Sequence, residues 1–144
     1  MRVAVLGAGA GGASAVVELT GAGHEVHWWN RTVNTLEPFR RLGGVEHEGV
    51  FGEGLVKPSL ITDDLRAAIE GCTAIVCALP TTSHAVMAFA LSKAGARADV
   101  PVILNPGHTG GALDFSIGII EGNAQTLRQS FTDRRLASPH HADK

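Results

Sequence analysis

The stretch VAVLGAGAGG, residues 3–12, constrains the fold more than any other part of the chain. An apolar run, Val3 to Leu6, gives way at once to Gly7, Gly9, Gly11 and Gly12. From Ala13 the segment ASAVVELTGAG then carries Ala, Val and Leu with no breaker before Gly21. This pattern reads as strand, tight turn, helix. HEVHWW at 24–29 follows as a second strand, rich in side chains that suit a pleated surface, and ends at the polar group Asn30, Arg31 and Thr32. Strand, helix and strand within about thirty residues make a βαβ unit.

Gly7, Gly9 and Gly12 fit G-x-G-x-x-G, and they stand where that pattern carries a mechanism, between a strand and a helix. The first glycine allows a tight turn, the second lets a pyrophosphate reach the backbone, and the third lets helix and strand pack closely. Residues Gly7, Ala8, Gly9, Ala10, Gly11 and Gly12 therefore form a phosphate loop. The unpaired N–H groups near Ala10 to Gly12 and the positive end of the helix dipole would meet the negative charge there. A glycine-rich turn that only packs is the competing reading. The end of the second strand distinguishes the cofactors: a carboxylate suits the ribose hydroxyl of NAD, whereas an arginine accommodates the 2′-phosphate of NADP. Here Arg31 offers a planar set of donors, flanked by Asn30 and Thr32, so NADP is expected, with NAD as the other possibility. Arg31 is also compatible with a solvated loop position. Trp28 and Trp29 alternate across the strand, one expected inward and one outward, and neither is given a ligand role.

Beyond the first unit, RRLGGVEHEGVFGEGLVKPSLIT is punctuated by glycines and Pro58 into short β-like pieces, expected as a hairpin or meander on an edge. TDDLRAAIEGC reads as a short helix with acids at its start and Gly71 as its stop. TAIVCALP is a buried strand closed by Pro80, SHAVMAFALSKAG a helix ending at Gly95, and VPVILNPG another buried strand. The alternation implies an α/β fold with a doubly wound, mostly parallel sheet of the Rossmann type.

Ligands of such sheets bind outside the carboxyl ends of the strands, which singles out two further loops. In ALPTTSHA, residues 78–85, Leu79 and Pro80 are expected at the cofactor, while Thr81, Thr82 or Ser83 can cap the next helix. His84 falls in that helix's first turn. In LNPGHTGGALDF, residues 104–115, the glycines, proline and histidine fit either a structural turn or a loop pressed against the nicotinamide, with His108 as the substrate-side candidate. No residue of the chain is assigned as a catalytic group beyond that candidate.

Composition excludes several other roles. A chain of 144 residues with 44% hydrophobic and 18% charged residues is globular, and its net charge of −2, with scattered cations, lacks the footprint of a nucleic-acid binder. The apolar start is too short for a signal or a membrane span, so no membrane partner is expected and the cytoplasm is the expected setting. Cys72 and Cys77 have no metal-ligand company and read as inert packing. His140 and His141 belong to a polar, solvated terminus, and no metal is assigned.

The segments GAGAGG, GHEVHWWNR, GGVEHEG, ALPTTSHA and above all NPGHTGGALDF carry a family resemblance. From about residue 2 to residue 115 the chain resembles the amino-terminal, dinucleotide-binding half of the opine dehydrogenases of the octopine and nopaline type. That half is in turn similar to the amino-terminal domains of ketopantoate reductase and glycerol-3-phosphate dehydrogenase. The resemblance implies an NAD(P)-dependent oxidoreductase that joins an amino acid to a 2-oxo acid by hydride transfer to an imine carbon. It also implies catalytic histidine and aspartate residues on a separate helical domain. The expected organisation is a dinucleotide-binding domain at 1–115 and a divergent tail at 116–144. On this reading the chain is truncated and not catalytic alone, and it takes an amino-acid or 2-oxo-acid substrate only with a second domain. A stand-alone nucleotide-binding or redox-sensing module is one alternative. A non-functional remnant, self-associating through an exposed domain interface, is the other.

Overall fold

A computed structural model describes residues 1–50 and 52–106. The elements run β1 (Arg2–Leu6), α1 (Ala10–Gly21), β2 (Glu25–Trp29), α2 (Val33–Leu42), β3 (Val45–His47), β4 (Gly54–Val56), β5 (Leu60–Thr62), α3 (Leu65–Ile69), β6 (Ala74–Cys77), α4 (His84–Ala94) and β7 (Val102–Leu104). Five strands form one sheet in the order β5–β2–β1–β6–β7, and every pairing in it is parallel. The Rossmann-type, mostly parallel sheet expected from the alternation of elements is therefore present. Chain order runs outward from β1 in both directions, so the strand order reverses between β1 and β6. A crevice at the carboxyl ends of these two strands is where such a sheet takes a ligand.

Two hydrophobic clusters, one on each face, hold the sheet. Val5, Val26 and Trp28 pack with Val16 and Val17 of α1 and Leu36 of α2. Ala4, Leu6, Trp29, Ile75 and Cys77 pack with Ala68 of α3 and with Met87, Ala88 and Leu91 of α4. The alternation along β1 and β2 is the period of a strand, and helices cover both of its faces. This corrects the expectation for the tryptophans: they do point to opposite faces, but Trp28 and Trp29 are both buried, because neither face meets water.

The region after β2 departs from its reading in two ways. Arg40, Arg41 and Leu42, taken as the start of β-like pieces, close the helix α2, which contains Pro38 and stops at the left-handed Gly43. The β-pieces that follow split between two sheets. β3 and β4 pair antiparallel as a separate two-stranded sheet, whereas β5 joins the edge of the main sheet parallel to β2. The short α3 is capped as its leading acids suggest, the Asp64 carboxylate accepting from the backbone N–H of Arg66 at 2.9 Å and of Ala67 at 3.3 Å.

Cys72 and Cys77 are buried and unpaired with each other, and burial pushes both thiols up to about 11. At pH 8 each is then a thiolate to about one part in a thousand. Both are expected to be silent to Ellman's reagent in the native chain and to react fully in guanidinium; reaction at native conditions would contradict their packing role.

Candidate dinucleotide site

The site is assembled from the carboxyl ends of β1, β2 and β6. Gly7 leaves β1 while still donating its N–H to the Trp29 carbonyl at 2.8 Å, as though the ladder continued. It then turns with a φ of 114°, a region that an L side chain rarely adopts. A Cβ there would lie 2.6 Å from the Ala78 carbonyl oxygen, so the turn is pressed against the end of β6. At Gly12 a Cβ would lie 1.9 Å from the Gly7 carbonyl oxygen, which is the close approach of helix to strand that the third glycine permits. Gly9 and Gly11 differ, since a Cβ at either would meet nothing within 4 Å. Two glycines thus serve the packing of the turn, and two leave open space in front of it.

The start of α1 has Gly9 as its N-cap, with no side-chain cap and no acid in the first turn. Its leading amides are left for another acceptor, and the helix dipole adds positive character at the same point. Open space, uncapped amides and a backbone free of side chains together fit a pyrophosphate.

Beside this turn lies a cleft of about 180 Å³, walled on one side by Asn30, Arg31 and Thr32 and on the other by Leu79, Thr82, Ser83 and Val86. Leu79 lines it, and Pro80, next in the chain, opens a tight turn in which the Ser83 N–H donates to the Pro80 carbonyl at 2.8 Å. That backbone bond replaces the expected side-chain cap, for Ser83 precedes α4 without a side-chain capping bond. Val86 escaped the sequence reading. It stands four residues after Thr82 and three after Ser83, and so on the same helical face, with 62% of its surface exposed. An exposed valine in a helix's first turn beside a strand end was the available signal. His84 is fully buried, its Nε2–H donating to the Leu79 carbonyl at 3.2 Å, which places it behind the wall of the cleft.

Arg31 is exposed, and its guanidinium makes no ion pair or hydrogen bond among the described residues. Nearby Arg40, by contrast, is committed to Asp63 at 2.6 Å, which holds that carboxyl below its usual range. Asn30 is also engaged: its Oδ1 accepts from the Ala8 N–H at 3.2 Å and its Nδ2 donates to the Thr32 carbonyl at 3.2 Å. His108 lies outside the described residues, as does the chain from 107 onward. A larger cavity, of about 280 Å³, opens at the opposite end of the sheet between the carboxyl ends of α3 and α4, where the dipoles disfavour phosphate.

Residues 2–132 match the family described as the NAD-dependent glycerol-3-phosphate dehydrogenase N-terminus. The chain belongs to this family. Among curated relatives of this NAD-dependent dehydrogenase family member, an opine dehydrogenase from Arthrobacter sp. (strain 1C) is 32% identical over 133 residues, 92% of this chain and 37% of the relative. A glycerol-3-phosphate dehydrogenase [NAD(P)+] from Chelativorans sp. (strain BNC1) is 32% identical over 71% of this chain and 31% of its own length. The chain thus spans about a third of the length of the curated relatives it matches. Among solved structures, octopine dehydrogenase with NADH and pyruvate superposes with a TM-score of 0.71 at 18% identity, over 85% of this chain and 33% of that one. A ketopantoate reductase from Ralstonia eutropha JMP134 superposes with a TM-score of 0.65 at 26% identity, over 81% of this chain and 37% of that one. The likeness to opine dehydrogenases, ketopantoate reductase and glycerol-3-phosphate dehydrogenase seen in the sequence motifs is thus found by independent comparison, and the chain is an NAD(P)-binding domain of these oxidoreductases.

Proposed function

We propose that this domain holds NADP(H) in preference to NAD(H), as the cofactor part of an opine-dehydrogenase-like oxidoreductase. The observation that carries the preference is Arg31: an exposed guanidinium, uncommitted among the described residues, stands at the end of β2 where an NAD-selective site has a carboxylate. In this reading the amides at the start of α1 bind the pyrophosphate across the open space at Gly9 and Gly11. Arg31 and Thr32 take the phosphorylated ribose, and Leu79 and Val86 flank the adenine. When bound, the dinucleotide would supply the hydride for reducing an imine of an amino acid and a 2-oxo acid. The chain's own residues bind and orient the cofactor, while the groups that bind substrate come from elsewhere in the enzyme. Two buried thiols suit a reducing, cytoplasmic setting.

Thermal melts of the chain with NADP, NADPH, NAD and NADH, each titrated separately, test this reading, because a ligand that binds only the folded state raises the melting temperature by mass action. A saturable rise, larger for the phosphorylated pair, is the expected result. The absence of any shift would remove the cofactor assignment, and equal shifts would remove the preference.

A further inference from the structure

Glycines give the phosphate turn its close approach, but they also leave it the freedom to flip, since a peptide flanked by glycine has few steric barriers. Two side chains of the second strand's end remove that freedom. The Trp28 indole N–H donates to the Gly7 carbonyl at 2.8 Å, and the Asn30 Oδ1 accepts from the Ala8 N–H at 3.2 Å. These are the two poles of one peptide plane, the carbonyl and the amide of the trans bond between Gly7 and Ala8. The carbonyl and amide of a trans peptide point in opposite directions, so Trp28 and Asn30 hold the plane at its two opposite edges. Trp28 is itself fixed, fully buried with its ring 4.6 Å from that of Phe39. Through its Nδ2, Asn30 also holds the Thr32 carbonyl, which ties the phosphate turn to the segment carrying Arg31.

We infer that Trp28 and Asn30 act as a clamp on the Gly7–Ala8 peptide and are positioning residues for the dinucleotide's pyrophosphate. The clamp orders the glycine turn before the ligand arrives, so binding does not bear the cost of ordering it. Asn30 spends one acceptor position on the Ala8 amide and one N–H on the Thr32 carbonyl, so its carboxamide is held against the turn. This inference rests on the reading of the glycine turn as a pyrophosphate site.

The test uses the full chain and two variants. Trp28→Phe keeps an aromatic ring against Phe39 but loses the indole N–H together with part of the buried ring's volume; Asn30→Ala deletes both the acceptor for Ala8 and the donor to the Thr32 carbonyl. Calorimetric titrations with NADP+ and with adenosine 2′-monophosphate, which has no pyrophosphate, are paired with NMR hydrogen exchange at the Ala8 amide of the unliganded protein. Each variant is expected to weaken NADP+ by about five- to tenfold, the worth of one hydrogen bond, and to weaken adenosine 2′-monophosphate less, within about twofold for Trp28→Phe, which keeps the bond between Asn30 and the Thr32 carbonyl. In Asn30→Ala the Ala8 amide exchanges faster, and Asn30→Asp, which restores an acceptor, slows it again. Should Trp28→Phe fail to fold, Asn30→Ala carries the test alone. Equal losses for both ligands would make Asn30 an adenosine contact and overturn the clamp, as would unchanged Ala8 exchange. A wild-type chain that binds neither ligand would instead overturn the pyrophosphate reading, and the clamp's role in binding with it.

Discussion

Replacing Gly12 by alanine is expected to lower the melting temperature by about 10 °C and to abolish dinucleotide binding. The added carbon would lie 1.9 Å from the Gly7 carbonyl oxygen and 2.8 Å from its carbon. Neither atom can yield cheaply. Gly7 is tied through its N–H to Trp29 and through its carbonyl to Trp28, so relieving the clash means parting α1 from β1 or breaking both bonds. We put the cost at about 3 kcal/mol, the upper range for overpacking a tight site. The neighbouring glycines should behave differently. Gly11→Ala, in the helix with open space before it, is expected to be neutral or to stabilise by about 0.5–1 kcal/mol. Gly9→Ala has an ordinary φ of −80° and no clash, so its melting temperature should match the wild type while the rise caused by NADPH is lost. Thermal melts of the three variants with and without NADPH separate packing from binding. A Gly12→Ala chain that melts with the wild type would overturn the assignment of that close approach.

Arg31→Asp is expected to weaken NADP+ by about 10- to 100-fold and to reverse the preference toward NAD+. A charge-assisted hydrogen bond to a phosphate is worth about 1.5–3 kcal/mol, and a carboxylate in its place repels the 2′-phosphate while suiting two ribose hydroxyls. The site tolerates the change: Arg31 is exposed and supports no neighbour among the described residues, so the fold should not respond. Calorimetric titration of both cofactors against both proteins gives the result directly. Equal losses for NADP+ and NAD+ would show that Arg31 does not read the 2′-phosphate.

Much of this site was legible in the sequence because its constraints are local. A strand of Val3 to Leu6, glycines at 7, 9 and 12, and a polar strand end at 30–32 define the turn and the cleft with little outside help. Where the reading failed, the deciding contact was distant in sequence. Pro38 disguised α2, although a proline within a helix is tolerated when the rest of the segment packs, here through Leu36 against the sheet. The fate of 45–62 depended on which strand found a free edge: β5 reached β2, and β3 and β4 found only each other. The burial of both tryptophans required knowing that helices cover both faces. The bond between the Ala8 amide and the Asn30 carboxamide was not legible either, because only the three-dimensional path of the glycine turn brings the two together.

The indoles of Trp28 and Trp29 have a consequence outside structure. They are the chain's two tryptophans, and both lie at the carboxyl end of the central sheet, one hydrogen-bonded to the phosphate turn and the other lining the cleft. Reduced nicotinamide absorbs in the band where indole emits, and oxidised nicotinamide does not. The native fluorescence of this domain is therefore expected to be dimmed more by the reduced cofactor than by the oxidised one, which an unlabelled emission titration with each would read.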